Sequence, residues 1–209
     1  MSNYNQCPER ETFGAWLKWL FRTYFFRLLG INLLFLVVCI PIVTIPAALC
    51  GLHSTIQQYY RKLYAATNLS AFVTEFLSSF VKRTIIIWSI ILIPLMIVVW
   101  SIQLLPQTLW LSFASILLVA VLLVLSWFIP QLVLLNLDIK QALKNAFLLT
   151  GLEAKANLAL IAVHAVSMTV VLFGLPVTAF LLLILPVLTT VLTTGITMPV
   201  LEKYLVHPE

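Results

Sequence analysis

Charge is what this sequence lacks. Only 9% of its 209 residues are Asp, Glu, Lys or Arg, where a soluble domain carries about 25%. Hydrophobic residues make up 62%, and no water-soluble surface can be built from such a chain. Three long intervals carry no charge at all: 33 residues between Arg27 and Arg61, 54 between Arg83 and Asp138, and 46 between Lys155 and Glu202. A membrane-spanning helix needs about 20 apolar residues, so each interval has room for two spans and a tight turn. The runs are continuously apolar rather than alternating, which favours helices over a barrel.

The expected fold is therefore an all-α integral membrane protein with six transmembrane helices, at about 28–43, 46–62, 84–104, 109–131, 156–174 and 177–200. They form one domain over 11–204, between a mobile polar tail at 1–10 and a short tail at 205–209. The stretch CIPIVTIPAALCG, residues 39–51, places Pro41 and Pro46 inside an apolar run. Proline normally ends a helix. Val43, Thr44 and Ile45 are read as a reversal, with Pro46 in the first turn of the next helix, where a missing N–H costs nothing. The other uncharged turns are LPQT, 105–108, and GLPVT, 174–178.

In this arrangement all 12 basic residues fall on one face, from Arg10 to Lys203. The positive-inside rule makes that face cytoplasmic and puts both termini inside the cytoplasmic membrane. Trp100 and Trp110 flank the outer LPQT turn, and Trp16 and Trp19 lie near the inner surface, both suited to interfacial indoles. The opening residues, with Glu9, Arg10 and Glu11 ahead of the first apolar stretch, do not resemble a signal peptide. The net charge of +5 is accounted for by topology and contact with anionic lipids, with no case for nucleic acid.

Three amphipathic segments stand out. Residues 11–27 read as an interfacial helix with Phe13, Trp16, Leu17, Leu20, Phe21 and Tyr24 on one face. Residues 68–83 read as a cytoplasmic helix with Leu69, Phe72, Val73, Phe76 and Phe80 on one face. Residues 138–151 read as another, opened by an Asp138–Gln141 capping box and stopped by Gly151. The order "amphipathic helix, then span" thus occurs twice, a weak repeat of a kind common in transporters.

Chemistry-bearing residues are also scarce. No Asp, Glu, Lys or Arg falls inside the spans, Arg61 and Lys62 closing the second as anchors beside Tyr59, Tyr60 and Tyr64. Proton relays and ion-coupled carriers usually keep an ionisable group at membrane depth, so a proton-driven carrier and a carboxylate-pair hydrolase are both disfavoured. No phosphate loop, G-x-S-x-G or H-E-x-x-H occurs. A non-enzymatic protein with no cofactor is expected. His53 and His164 read first as polar side chains bonding neighbouring helices, with a metal or proton site as the alternative. Cys39 and Cys50 flank the first turn and read as small buried hydrophobes, a disulfide being the alternative. Thr189, Thr190, Thr193, Thr194 and Thr197 form a stripe in the last span. Close packing explains it, and a polar lining for a solute path is the alternative. The solute-path candidates are Thr190, Thr194, Thr197, His164 and His53.

NLLFLVVCIPIVTIPAAL followed by QQYYRKLY, and then LDIKQALKNAFLLT, resemble the YesL family, a bacterial membrane family of unknown function. The resemblance covers about residues 20–204. Pro46 directly follows Ile45 here, where the family often has a glycine first. The resemblance implies a Gram-positive source and a setting beside carbohydrate ABC importers, and it implies no catalytic residue. NAFLLTG, 145–151, with Ile161 ten residues on, is also similar in spacing to the E-A-A-x3-G-x9-I-x-L-P pattern by which importer permeases dock their ATPase. Ala146, Gly151 and Ile161 match. Asn145, Phe147 and Val163-His164 depart from it.

Two functional expectations follow. The first is an accessory membrane protein of carbohydrate uptake that contacts an ABC permease or ATPase through Lys140, Lys144, Asn145, Phe147 and Gly151. The second is a self-contained transporter or channel for a small uncharged solute such as a small carbohydrate, or a divergent ABC-permease-like subunit.

Overall fold

The computed structural model describes residues 13–60, 68–102, 104, 106–134, 137–173 and 184–206. The described residues are helical and contain no strand. In chain order the helices are α1 (Phe13–Val38), α2 (Ile45–Tyr60), α3 (Asn68–Ser79), α4 (Lys82–Ser101), α5 (Gln107–Leu134), α6 (Ile139–Leu152), α7 (Ala154–Phe173) and α8 (Leu185–Leu201). A 3-10 turn, Ile42–Thr44, joins α1 to α2, and a π-helical turn, Glu202–Val206, follows α8. Five of these segments are long and apolar enough to cross a membrane: Phe13–Val38, Arg83–Ser101, Leu109–Val133, Ala154–Val171 and Leu185–Tyr204. The chain is a multi-pass membrane protein. The 1–10 and 207–209 tails, the Arg61–Lys62 anchors and the 174–178 turn lie outside the described residues.

The segments expected as an interfacial helix at 11–27 and a first span at 28–43 are one continuous helix, α1. Nothing in the sequence there breaks it, since Gly30 alone weakens a helix by only about 1 kcal/mol. Its first half packs on the bundle rather than lying free. Trp16 is buried against Tyr60, with ring centroids 5.4 Å apart, and Tyr24 meets Tyr59 at 4.8 Å. Trp16 is therefore a core residue and not an interfacial one.

The segment expected at 68–83 is α3, and it packs along α2. Gly51 makes this approach possible: a Cβ there would lie 2.9 Å from the Phe72 carbonyl oxygen. Phe72 is buried, and Phe72, Phe76 and Phe80 contact one another in series. The α3–α4 corner is held by the Glu75–Arg83 ion pair, with Ser79 bonded to both at 3.2 Å.

Side chains close the first reversal. Thr44 donates its hydroxyl to the carbonyls of Val38 and Pro41. The Trp88 indole N–H of α4 donates to the Val43 carbonyl at 3.2 Å. The helix α2 that follows has 16 residues and rises about 24 Å, while α4 continues 13 residues past Trp88 to Ser101, about 20 Å further.

At the other end, Asp138 occupies the N-cap of α6 but its side chain makes no capping bond, so the expected capping box is not formed. Nor does Gly151 stop the helix: α6 runs to Leu152 and its C-cap is Glu153. The chain needs no left-handed residue there because α7 starts at once, and a side chain of α7 closes α6. Asn157 gives its amide N–H to the carbonyls of Thr150 (2.7 Å) and Leu149 (3.4 Å), and its oxygen accepts the Trp127 indole N–H of α5 at 2.8 Å. Three helices meet at this one amide. Asn157→Leu keeps the size but leaves the buried Trp127 donor and the Thr150 carbonyl unmet. We expect a loss of about 1–3 kcal/mol, read as a lower unfolding temperature in detergent, whereas Asn145→Leu on the same corner should change it little.

Candidate functional site

The buried face of α8 is threonine-rich because threonine can satisfy its own hydroxyl inside a helix. Thr190 donates to the Pro186 carbonyl at 2.9 Å, Thr193 to Thr190 at 3.0 Å and Thr197 to Thr193 at 2.9 Å. Such back-bonding makes the residues tolerable in an apolar bundle. Thr189, one position off this face, meets Ser167 of α7 hydroxyl to hydroxyl at 2.8 Å.

The stripe divides. Thr189, Thr190 and Thr193 line a cavity of about 360 Å³, whereas Thr194 and Thr197 are buried in helix packing away from it. Two of the expected solute-path residues are therefore set aside as lining of this space. His53 of α2 and His164 of α7 reach the same cavity, from opposite sides of the sequence. Its remaining polar side chain is Ser126 of α5; the rest is apolar, chiefly Leu49, Leu122, Leu125, Ile129 and Leu185. A space this size is within the range of about 300–1,000 Å³ common for small-molecule sites.

Ser126 Oγ lies 2.7 Å from the Leu122 carbonyl and 2.8 Å from His164 Nε2; which of the two takes its single proton depends on the imidazole tautomer. His53 is only 7% exposed, and its Nδ1 has no hydrogen-bond partner among the described residues. His164 thus ties α7 to α5 as a polar side chain bonding a neighbouring helix is expected to, while His53 Nδ1 makes no such bond among the described residues. Among the described residues no group of three or more His, Cys, Asp or Glu side chains could hold a metal ion, and no charged side chain lines the cavity. Cys39 and Cys50 are free thiols.

Sequence reasoning missed Ser126 and Asn157. Each is one polar residue in a long apolar segment, and only the fold shows which of several such residues meets a partner.

The α6 candidates sit elsewhere. Lys140, Lys144, Phe147 and Gly151 are exposed and Asn145 is half-buried. Phe147 and Leu143 close one end of a second, apolar space of about 450 Å³ between α4 and α5. Residues 28–100, from the middle of α1 to the penultimate residue of α4, match the family described as "Protein of unknown function, DUF624". No curated protein and no solved structure matches the chain.

Proposed function

We propose that this is a non-enzymatic protein of the cytoplasmic membrane that takes up a small uncharged solute through the cavity between α2, α5, α7 and α8. The observation that carries this reading is the convergence of His53, Ser126, His164, Thr190 and Thr193 on one half-open space with no charged side chain in its lining among the described residues. Neutral hydrogen-bonding groups in an apolar wall suit a neutral polar solute and repel an ion, whose desolvation nothing there would offset. Reconstituted in liposomes, the protein should give saturable uptake of at least one member of a panel of hexoses, polyols and long-chain alcohols. Thr193→Val and His53→Phe should abolish that uptake. Uptake equal to empty vesicles across the whole panel would sink this reading.

The YesL resemblance, with its Gram-positive source and carbohydrate importers nearby, supports a second reading, an accessory subunit contacting an ABC permease or ATPase. Its structural support is the exposed edge of α6, where Lys140 and Lys144 stand beside Phe147, which is 60% exposed. Phe147→Asp should then remove importer subunits from an affinity purification and slow sugar uptake in the host. Unchanged recovery and uptake would end that reading.

For topology, cytoplasmic termini and loops are proposed from the basic residues, with α4 and α5 as full spans. The six-span reading is modified at one place. Trp88 meets the Val43 carbonyl 13 residues short of the end of α4 at Ser101, about 20 Å below it. The outer part of α4 is exposed and apolar, from Leu92 to Trp100, so the level of Val43 falls within the bilayer. The α1–α2 turn is proposed to enter and leave from the cytoplasmic side. Pro41 and Pro46 bring no N–H into lipid, and Thr44 and Trp88 satisfy carbonyls there, as hydrocarbon requires. With Cys7, Cys39 and Cys50 replaced by Ser, an impermeant maleimide added outside cells should label Gln107→Cys and spare Val43→Cys. Equal labelling would restore a complete first pair of spans.

A further inference from the structure

We infer that the cavity's ligand is a neutral lipid headed by a hydroxyl group, entering sideways from the bilayer; this rests on the solute-binding reading of the same cavity. Three observations lead there.

The first is the polar inventory. Thr190 and Thr193 have each given their only hydroxyl proton to a backbone carbonyl. What they leave for the cavity is lone pairs. A complementary ligand must donate protons, and it must be uncharged because no charged group lines the space among the described residues. A hydroxyl fits and a carboxylate does not.

The second is what His53 does not supply. Its ring lines the cavity, but its unpartnered Nδ1 is sealed from that space, so the acceptors there are the threonine oxygens.

The third is where the space leads. A neighbouring void of about 300 Å³ shares Leu122, His164, Val171 and Leu185 with the cavity and adds Ser167 and Met168. Met168 is 45% exposed and Val171 is 42% exposed on the outside of α7, one of the helices apolar enough to cross the membrane. Apart from His164 and Ser167, whose hydroxyl bonds Thr189, the outer void is lined by apolar side chains. That lining fits a hydroxyl head placed against Thr190 and Thr193 with its chain running out past Met168 into lipid. A hexose, polar on every side, would leave its outer hydroxyls against Val171 and Met168.

The test is photolabelling of the purified protein in lipid nanodiscs with a long-chain alkanol bearing a diazirine in its chain and a terminal alkyne. Label should map by peptide mass spectrometry to the cavity walls on α5, α7 and α8. It should be displaced by unlabelled long-chain alcohol, and not by the fatty acid of equal length or by glucose. Thr190→Val and Thr193→Val, which keep shape and remove acceptors, should lose that displaceable label while keeping the wild-type unfolding temperature. His53→Phe should lose it as well. Label spread evenly over the lipid-facing helices, in wild type and variants alike, would overturn the inference. Displacement by glucose and not by alcohol would also overturn it, while leaving the uncharged-solute reading intact. No displaceable label together with no uptake in liposomes would overturn both.

Discussion

Backbone groups inside a bilayer have no water to bond, and each unmet one costs several kcal/mol. That constraint explains the side chains that tie this bundle together. A helix interior meets it alone, so the difficulty concentrates at helix ends. The polar residues of the apolar runs are found there. Thr44 and Trp88 cover carbonyls at the α1–α2 turn. The Trp110 indole donates to the Val98 carbonyl at 3.0 Å near the α4–α5 turn. Asn157 covers the end of α6. Asn32 of α1 accepts the Val187 N–H at 3.2 Å, in the first turn of α8. The adjacent Pro186 has no N–H to satisfy. Capping by distant side chains does two things at once: it closes a helix end and fixes which helix lies beside it.

The same constraint decides what the threonines do. A hydroxyl that bonds its own helix is neutral to packing, so α8 can bury Thr190, Thr193 and Thr197 together. It also polarises the face of α8 without adding a donor to it. A threonine stripe therefore has two readings from sequence, and they are the same chemistry seen with and without a cavity beside it. The neighbours decide. Gly195, one residue from Thr194, faces the Phe13 ring, where an added Cβ would overlap it. That side of α8 is packed shut by α1. The Thr190–Thr193 side faces His53 and His164 across open space.

How much was legible follows from this. Apolar length is a property of composition, so the helical membrane class, the reversal at 42–45 and the ends of α4 and α5 could be read to within a few residues. Pairing between segments could not. Asp138–Gln141 and Gly151 fit local rules for helix ends, and the structure overrides both because Asn157, supplied by the next helix, closes α6 instead. The split of 11–38 into an interfacial helix and a span came from charge at Lys18, Arg22 and Arg27. Charge on one face says where water or headgroups lie and does not break a helix.

His53 shows the limit of satisfaction as an organising rule, and so where function is to be sought. The bundle has met its carbonyls with Thr44, Trp88, Trp110 and Asn157, even where the donors come from 45 residues away. A chain with that many solutions available leaves Nδ1 of a buried imidazole unmet beside a cavity. Leucine there would fill the same volume, with no polar atom to bury at a cost of about 1–3 kcal/mol. A buried polar group without a partner calls for an explanation beyond packing. His53 Nδ1 shares that condition with Trp16 Nε1, Gln58 Oε1, Tyr59 OH, Gln131 Oε1 and Thr194 Oγ1, and among these residues His53 alone lines the cavity, through the rest of its ring.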